Sequence, residues 1–254
     1  MRKILFSVCA ALAVLGCGGD MDELPPCLTC VLCGSRTLSS TQGCCINNIY
    51  SIETEVCSEG TVYQASDKGN NISSYRTVVI GTQTWMAENL DYNVEGSKCY
   101  GNNAVNCNTY GRLYNWATAM ALPSSCNSNT CSSQVQTKHK GICPSGWHIP
   151  SHAEWTTLTD YVGGYSTAGR YLKATSGWYN NGNGNDQYGF SALPGGYGYS
   201  GGSFFNVGNY GYWWSATEFN ATYAYYRYMN YNYDYVYDYS GYKSNLFSVR
   251  CLQD

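Results

Sequence analysis

The cysteines constrain the fold of this chain more than any other feature of its sequence. Fourteen cysteines occur in 254 residues; Cys9 lies in an apolar N-terminal segment and Cys17 follows that segment directly. The other twelve form two sets of six, which are Cys27, Cys30, Cys33, Cys44, Cys45 and Cys57, and then Cys99, Cys107, Cys126, Cys131, Cys143 and Cys251. Even sets like these indicate disulfides in a chain that is exported from the cytoplasm.

The N-terminal segment predicts export. Arg2 and Lys3 precede an apolar run over residues 4–15, which is too short to span a bilayer and has the length of a signal-peptide core. The sequence Val-Leu-Gly-Cys at 14–17 resembles the bacterial lipobox, which implies cleavage before Cys17 and lipidation of that cysteine. Acyl chains hold a protein on a membrane because each buried methylene contributes about 0.8 kcal/mol. An ordinary secretory signal, with Cys17 incidental, is the alternative.

The sequence alone does not decide how the cysteines pair, since six cysteines allow fifteen pairings. The arrangement that we favour for the later set combines two local bonds with one long-range bond: Cys99–Cys107, Cys126–Cys131 and Cys143–Cys251. In the earlier set, the spacing of the three cysteines in segment 27–33 also occurs in zinc sites. Oxidising surroundings and the lack of histidine in that segment favour disulfides over zinc.

Composition divides the chain after residue 16 into a tether and a main domain. Residues 17–71 are rich in Gly, Ser, Thr and Asn and hold six cysteines, so we expect a small disulfide-stabilised module, with a flexible spacer as the alternative. Residues 72–254 are long enough for one domain with a core. Without Arg2 and Lys3, 12 basic residues remain against 17 acidic ones, a formal charge of −5. The absence of any basic run argues against nucleic acid as a partner.

Residue periodicity predicts an α+β domain. A β-hairpin is expected over residues 77–86 around a glycine turn. A helix is expected where Leu113, Trp116, Ala117 and Met120 recur at helical spacing, and another where Ser151 and Glu154 form a capping box. A third, shorter helix is expected over residues 168–174. Segments rich in Tyr, Trp and Val then predict strands over residues 190–193, 212–216, 223–231 and 246–251.

Five segments, in this order, resemble a known family. They are 81–92 (GTQTWMAENLDY), 110–121 (YGRLYNWATAMA), 143–158 (CPSGWHIPSHAEWTTL), 188–197 (YGFSALPGGY) with 211–217 (GYWWSAT), and 247–252 (FSVRCL). Together they resemble the Fibrobacter succinogenes major paralogous domain, which is common in cell-surface proteins of Fibrobacteres and Bacteroidetes. The resemblance covers roughly residues 72–253. It implies location and fold rather than chemistry, because the family has no established activity.

A more distant similarity concerns the fold. Segment 148–155, followed much later by segment 247–250, is similar to motifs of formylglycine-generating-enzyme-like domains. That similarity implies a C-type-lectin-like fold, with two main helices and small antiparallel sheets whose ends are brought together; a Cys143–Cys251 bond would suit this closure. The oxidase activity needs a reactive cysteine pair late in the chain, and Cys251 is the only cysteine after Cys143. A shared fold does not transfer a function.

Tyrosines at every second residue form the main candidate binding site: Tyr231, Tyr233, Tyr235, Tyr237 and Tyr239. Such spacing places side chains on one face of a strand. Rings stack on sugar C–H faces, and the nearby carboxylates of Asp234 and Asp238 accept hydrogen bonds from hydroxyls. Trp178 and Asn185 are a predicted rim. The structural alternative is cross-strand packing within a sheet, and a turn within residues 230–234 would break the row into two strands.

No catalytic residue is assigned. His148 and His152 have the spacing of a zinc helix, but Pro150 and the Ser151 cap place the helix start between them, so we expect surface or capping positions. Spacing gives no support for Asp234 and Asp238 as a glycosidase pair.

One loop is a candidate calcium site. The candidate ligands are Asn183, Asn185 and Asp186. Calcium needs six to eight oxygens, and the loop offers a single carboxylate, so an asparagine-glycine turn is the favoured interpretation.

These features predict a lipid-anchored protein of the bacterial cell envelope, in the outer membrane and exposed at the surface. Its domain would be a non-catalytic binding or adhesion module for glycans, with no cofactor unless calcium binds. The predicted partners are the membrane, through Cys17, and a polysaccharide or an envelope protein. The alternatives are a structural or assembly component of the envelope and, disfavoured, an enzyme related to formylglycine-generating oxidases.

Overall fold

The computed structural model describes residues 68, 69 and 71–254, together with the backbone of six short strands that precede them. Those strands form three antiparallel hairpins: β1 (Leu32–Cys33) with β2 (Arg36–Thr37), β3 (Gln42–Cys45) with β4 (Asn48–Ser51), and β5 (Glu55–Ser58) with β6 (Thr61–Gln64). The predicted lipobox with Cys17, and the bonding of the six earlier cysteines, lie outside the described residues.

A second compact unit comprises Asp67–Gly101 and Asn106–Asp254. Along this part of the chain the elements are β7 (Thr77–Ile80), β8 (Gln83–Met86), α1 (Ala104–Tyr110), β9 (Leu113–Tyr114), α2 (Trp116–Ala119), β10 (Trp147–His148), α3 (His152–Tyr161), α4 (Ala168–Leu172), β11 (Gly195–Gly198), β12 (Phe204–Val207), β13 (Tyr210–Glu218), β14 (Tyr223–Asn230), β15 (Tyr237–Tyr242), β16 (Phe247–Ser248) and β17 (Leu252–Gln253). The architecture is α+β, with more strand than helix. Within the described part of the chain, no helix has the length and apolar character needed to cross a membrane.

The smaller sheet brings the two ends of the domain together. Its strand order is β10-β17-β8-β7, and every pair is antiparallel. The predicted hairpin is confirmed, since Ile80 of β7 pairs with Gln83 of β8 across the turn. The last strand, β17, lies between β8 and β10, so the C-terminal residues complete a sheet that the first strands of the domain begin.

The larger sheet differs from the small antiparallel sheets expected from the sequence. It has seven strands: β12-β11-β13-β14-β15 in order, with β16 and β9 continuing from β13. Both β11 and β16 run parallel to β13, while the remaining pairs are antiparallel. The sheet is therefore mixed, because the chain turns back through β12 before β13 joins the far side of β11.

Helix α3 forms where the capping box predicts it. The Ser151 hydroxyl accepts a hydrogen bond from the Glu154 N–H at 3.2 Å, and the Glu154 carboxylate accepts one from the Ser151 N–H at 2.8 Å. Trp155 and Leu158 are buried on its inner face. The short helix predicted over residues 168–174 is also present, as α4. Local capping and periodicity were sufficient for both elements.

The helix predicted from Leu113 was wrong in extent. Leu113 belongs to β9, where it pairs with Ser248 of β16. Asn115 then caps α2, which has only four residues, by accepting a hydrogen bond from the Thr118 N–H at 2.9 Å. The helical spacing of the apolar residues reflects their burial in one core rather than a single helix. The sequence analysis did not predict α1.

Two of the predicted strands were also wrong in position. The segment 190–193 is not a strand; β11 begins at Gly195 instead, because the chain around Phe190 and Ser191 is held as a loop by Arg250. Within the segment 246–251 only β16 is a strand, and β17 begins beyond it at Leu252. The intervening carbonyls of Val249 and Cys251 accept hydrogen bonds from the N–H groups of Leu90 and Met86.

Arg250 is a fully buried cation at the centre of the domain. Its Nε and one terminal nitrogen donate to the Asn89 side-chain oxygen at 3.2 and 2.8 Å, and its guanidinium also reaches the carbonyls of Phe190 and Ser191. The guanidinium lies 4.2 Å from the centre of the Phe190 ring. Burial lowers the pKa of Arg250 to about 9. Arg250 therefore joins the C-terminal segment to the loop before β11.

Three disulfides stabilise the described domain: Cys99–Cys107, Cys126–Cys131 and Cys143–Cys251. These are the pairs favoured from the sequence. The long-range bond joins the segment before β10 to the residue before β17, at the place where the two ends of the domain meet.

Candidate functional site

Five neighbouring strands of the larger sheet carry aromatic rings on one face, and one ring from each strand aligns with those of its neighbours. The cross-strand partners are Phe205 and Tyr197 between β12 and β11, and Tyr212, Tyr228 and Tyr237 across β13, β14 and β15. Tyr197 and Tyr212 follow directly after the paired residues of the parallel strands β11 and β13. Because alternate residues of a strand face the same side, these five rings form a line across five strands.

The line of rings is continuous. Ring centres are 5.7 Å apart for Tyr197 and Phe205, 5.2 Å for Tyr197 and Tyr212, and 5.8 Å for Tyr212 and Tyr228. The last pair, Tyr228 and Tyr237, is 4.5 Å apart with nearly parallel planes. Cross-strand aromatic pairs of this kind stabilise a sheet, so packing accounts for part of the pattern.

Three more tyrosines extend the line beyond the sheet. Tyr165, in the turn after α3, lies 5.6 Å from Tyr237 and 5.3 Å from Tyr235, and Tyr233 stacks on Tyr235 at 5.5 Å. We call these eight rings the tyrosine row: Phe205, Tyr197, Tyr212, Tyr228, Tyr237, Tyr165, Tyr235 and Tyr233. None of them is buried, and Tyr165 and Tyr233 are about half exposed (50% and 52%). The row is a partly exposed, uncharged surface.

The opposite face of the sheet packs against α3. Trp213 is buried beside Trp155 of that helix. Arg227 donates to the His152 carbonyl at 3.1 Å and to the Thr156 hydroxyl at 2.7 Å. Asp238 forms ion pairs with Arg227 and, at 3.2 Å, with His152. The prediction that Asp238 contributes to the tyrosine surface was therefore wrong, because its neighbours along β15 face the row and it faces the helix.

The predicted row of tyrosines 231–239 is not one strand. The predicted turn is present, since the Asn230 side chain accepts hydrogen bonds from the backbone N–H groups of Asn232 and Tyr233, both at 3.0 Å. Tyr233, Tyr235 and Tyr237 belong to the tyrosine row. Tyr231 instead turns toward Tyr179, and Tyr239, 63% exposed, stands beside Tyr226 at the margin of the row.

A buried lysine holds the turn that carries Tyr233 and Tyr235. Lys173 donates from Nζ to the carbonyls of Asn230 at 3.2 Å and Tyr233 at 3.1 Å. Burial lowers the pKa of Lys173, and the Asp234 carboxylate 4.0 Å away opposes that shift. Asp234 thus lies beside Lys173, while its carbonyl accepts from the Gly169 N–H at 2.7 Å. Hydrogen bonds from Lys173 and from the Gly169 N–H therefore hold the backbone of this turn in place.

The predicted rim residues do not form a rim. Trp178 is only 4% exposed, and its indole N–H donates to the Ala192 carbonyl at 3.0 Å, so it is part of the core. Large apolar rings are driven to such positions by the area they remove from water. Asn185 is exposed, but its side-chain oxygen accepts from the Gln187 N–H at 3.2 Å within its own loop.

The candidate calcium ligands serve local turns. Asn183 accepts from the Trp178 N–H at 3.0 Å, and the Asp186 carboxylate accepts from the Ser191 N–H and hydroxyl, both at 2.6 Å. Across the described residues, no group of three or more His, Cys, Asp or Glu side chains is placed to hold a metal ion. These contacts favour the turn interpretation of the loop.

The histidines are held in hydrogen bonds. His148 was expected at the surface or in a capping position, but it is buried. Its Nε2 lies 3.0 Å from the Glu154 carboxylate and its Nδ1 lies 2.8 Å from the Asp254 carboxylate. Burial alone would lower the pKa of His148, but the hydrogen bonds and charges of these two carboxylates outweigh it and raise the pKa. Burial and the charge of Arg227 lower the pKa of His152, and Asp238 opposes them. His148 and His152 therefore have different partners and share no metal geometry.

A shallow groove of about 380 Å³ lies near the start of α3, between the segment 132–139 and β13. Its Glu154 carboxylate is engaged with His148 and Ser151, and these hydrogen bonds lower the pKa of Glu154 to about 2 although burial would raise it. Glu218 accepts from two backbone N–H groups and from buried Lys243. In the same groove, His139 contacts the Met120 carbonyl at 2.8 Å. The acids and the histidine that line the groove are thus committed to structural contacts.

The hydroxyls of Tyr197, Tyr212 and Tyr228 stay protonated at neutral pH. Burial and neighbouring phenols raise the pKa of Tyr228 to about 12, and burial with the Tyr199 hydroxyl raises that of Tyr197 to about 12. Burial likewise raises the pKa of Tyr212. Each of these side chains is a neutral donor and acceptor of hydrogen bonds.

The fold and this surface define a disulfide-bonded α+β domain with a continuous row of uncharged aromatic rings. Residues 78–253 match the family model for the Fibrobacter succinogenes major domain, so the chain belongs to that family. This confirms the family predicted from the five sequence segments. No curated protein and no solved structure matches the chain.

Sequence reasoning missed most of the tyrosine row. It selected three of the eight rings and overlooked five: Phe205, Tyr197, Tyr212, Tyr228 and Tyr165. One available signal was the alternation of aromatic residues within segments 210–214 and 223–228, which two neighbouring strands would place on one face. Tyr165 had no comparable signal, because it follows the glycines that end α3.

Proposed function

We propose that this protein is a non-catalytic binding or adhesion module whose ligands are glycans, bound on the tyrosine row. The observation that carries the proposal is the row itself, in which eight partly exposed aromatic rings form a continuous, uncharged surface. Aromatic side chains give rigid contact area at low entropic cost, and phenol hydroxyls exchange hydrogen bonds with sugar hydroxyls.

The proposal includes display from the cell envelope. A lipid on Cys17 would hold the domain at the outer membrane, with residues 17–71 as a spacer on the outer surface. Three disulfides within the described domain support an oxidising location for the folded protein.

We also propose that the domain has a C-type-lectin-like fold. Two features support this assignment: the last strand β17 lies between β8 and β10, and the Cys143–Cys251 bond fastens the two ends of the domain together. The mixed larger sheet is compatible with such a fold but is more extensive than the resemblance implied.

An enzymatic function is disfavoured by the groove beside α3. Acid–base catalysis needs a titratable group that is free to exchange a proton with a substrate. The side chains of Glu154, Glu218 and His139 instead form hydrogen bonds within the domain. The remaining alternative, an assembly component of the envelope, would use the same aromatic surface for a protein partner.

Polysaccharide pull-down and a glycan array with the full-length protein test the proposal. We expect retention by at least one glycan, and loss of retention when Tyr228 and Tyr237 are both replaced by Ala. The control replaces Tyr161 and Tyr179, which are more exposed (58% and 63%) than Tyr228 and Tyr237 but lie outside the row, and should bind as wild type does. Circular dichroism verifies that each variant folds. Uniform absence of glycan binding, with a cross-linked envelope protein instead, would support the assembly alternative.

A further inference from the structure

The rings of the tyrosine row cover one another's faces. Tyr228 and Tyr237 have an interplanar angle of 6°, and Tyr233 and Tyr235 one of 11°. Tyr165 stacks on Tyr235 at 26°. A face that contacts a neighbouring ring is not available to the C–H groups of a sugar. At these pairs, stacking on ring faces, which is the usual aromatic contribution to sugar binding, is therefore restricted.

The ring edges and hydroxyls remain for a ligand. The hydroxyl oxygens of Tyr228 and Tyr235 are not buried, and they have no protein hydrogen-bond partner among the residues that the structure describes. By contrast, the Tyr197 hydroxyl bonds to that of Tyr199 at 3.2 Å, the Tyr212 hydroxyl accepts from Asn206 at 3.4 Å, and the Tyr237 hydroxyl bonds to the Asn230 side chain. The middle of the row thus has free hydroxyls that can both donate and accept.

The rings of the tyrosine row recur at similar intervals. Neighbouring ring centres are 4.5 Å apart at the closest pair and 5.8 Å at the widest. For the five rings on the sheet, the interval follows the separation of adjacent strands, because neighbouring rings come from neighbouring strands. It is also comparable to the length of one pyranose unit in an extended chain. A ligand that meets several of these hydroxyls must therefore itself repeat along its length.

The tyrosine row carries no charged side chain. The row contains only Tyr and Phe side chains. The nearest buried cations are used within the domain: Arg227 by Asp238, and Lys173 by two backbone carbonyls beside Asp234. Neither of these two cations is free to pair with an anionic polymer.

We infer that the tyrosine row binds a neutral, linear polysaccharide that lies across the strands, along the row, and is recognised by phenol hydroxyls and ring edges. This inference rests on the proposed function and specifies its ligand. Each hydroxyl contributes a modest net interaction, because water competes for it in the free protein. Affinity must therefore accumulate over several sugar units, and a monosaccharide binds too weakly to displace the polysaccharide.

Tyrosine-to-phenylalanine substitution tests the role of the hydroxyls. The triple variant Tyr165→Phe, Tyr228→Phe and Tyr235→Phe keeps the ring packing and removes three hydroxyls. We expect its affinity for the retained polysaccharide to fall at least about tenfold in affinity electrophoresis of the full-length protein. The control is the double variant Tyr161→Phe and Tyr179→Phe, which should bind as wild type does. Unchanged binding by the triple variant would overturn the inference while leaving the proposed function intact.

Ligand length and charge give a second, independent test. The probes are mixed-linkage glucan, mannan and xylan as neutral chains, polygalacturonate as an anionic chain, and oligosaccharides of increasing length from whichever chain is retained. We expect a neutral chain to be retained and inhibition to strengthen with each added sugar over several units. A preference for polygalacturonate, or equal inhibition by a monosaccharide, would overturn the inference. No retention of any glycan would instead refute the proposed function.

Discussion

Removal of the long-range disulfide should destabilise this domain far more than removal of either local one. The perturbation is the double substitution Cys143→Ala with Cys251→Ala. Both residues are fully buried (0% exposed), and their bond closes a sequence separation of 108 residues. Replacing both cysteines avoids leaving a free thiol that would exchange with the remaining disulfides.

The magnitude follows from loop length. A cross-link lowers the entropy of the unfolded chain, and the loss grows with the logarithm of the enclosed loop. For the separation of 108 residues this corresponds to about 5 kcal/mol of the free energy of unfolding. The same relation gives about 2 kcal/mol for Cys126–Cys131, with a separation of 5, and about 2.5 kcal/mol for Cys99–Cys107, with a separation of 8.

The two local bonds provide matched controls. Their cysteines are also buried, between 0% and 4% exposed, so an alanine pair removes similar packing in each variant. Equilibrium unfolding in urea, followed by tryptophan fluorescence, should therefore rank the variants by loop length. The difference between the long-range and the local variants should be about 2–3 kcal/mol. Equal losses in all three variants, or the smallest loss in the Cys143/Cys251 variant, would refute the loop-entropy reasoning for this fold.

Three further predictions concern the core, pH and metals. Arg250→Met should lower the free energy of unfolding by about 3 kcal/mol in urea titration, since it leaves buried acceptors unpaired. The control Arg170→Met, at an exposed position, should change it little. Similar losses in both variants would contradict the role of Arg250 in joining the C-terminal segment to the loop before β11. Because the pKa of His148 is raised, its stabilising contribution is complete below about pH 6.5 and is lost as pH rises through the raised value. The contribution of Glu154 is present above about pH 4.5 and is lost as pH falls toward 2. His148→Gln should flatten the alkaline decline in melts across pH, and a decline that persists unchanged would exclude His148 as its source. Thermal melts in EDTA and in excess calcium should coincide, because the polar side chains of the 180–186 loop already cap turns; a midpoint that rises with calcium would contradict this.

Features set by neighbouring residues could be predicted from the sequence. The capping box of Ser151 and Glu154 defines the start of α3 because both partners lie within one helical turn. The hairpin β7–β8 follows from a glycine turn between two short β-branched or aromatic segments. The family and the two local cysteine pairs were likewise accessible, since ordered motifs and close spacing mark them. The Cys143–Cys251 pair has no such spacing and was favoured because it suits the closure that the fold resemblance implies.

Features set by distant contacts could not be predicted in the same way. The eight rings of the tyrosine row come from six separate segments. Register between strands aligns five of them, and turns place Tyr165, Tyr233 and Tyr235. The five tyrosines at 231–239 were grouped because they alternate, yet a turn held by Lys173 sends Tyr231 away from the others. Trp178 was assigned to a rim, although its burial depends on a core that no local pattern reveals.

Five of the eight rings of the tyrosine row come from five neighbouring strands, and this has a consequence for how such a domain can diversify. A substitution that changes the polar end of one ring alters one contact group of the row and leaves the backbone pairing of the strand unchanged. Phe205, at one end of the row, already has a ring without a hydroxyl. Duplicated copies that keep the strands and exchange individual tips would therefore offer different contact patterns from a single scaffold, without a new loop, pocket or fold.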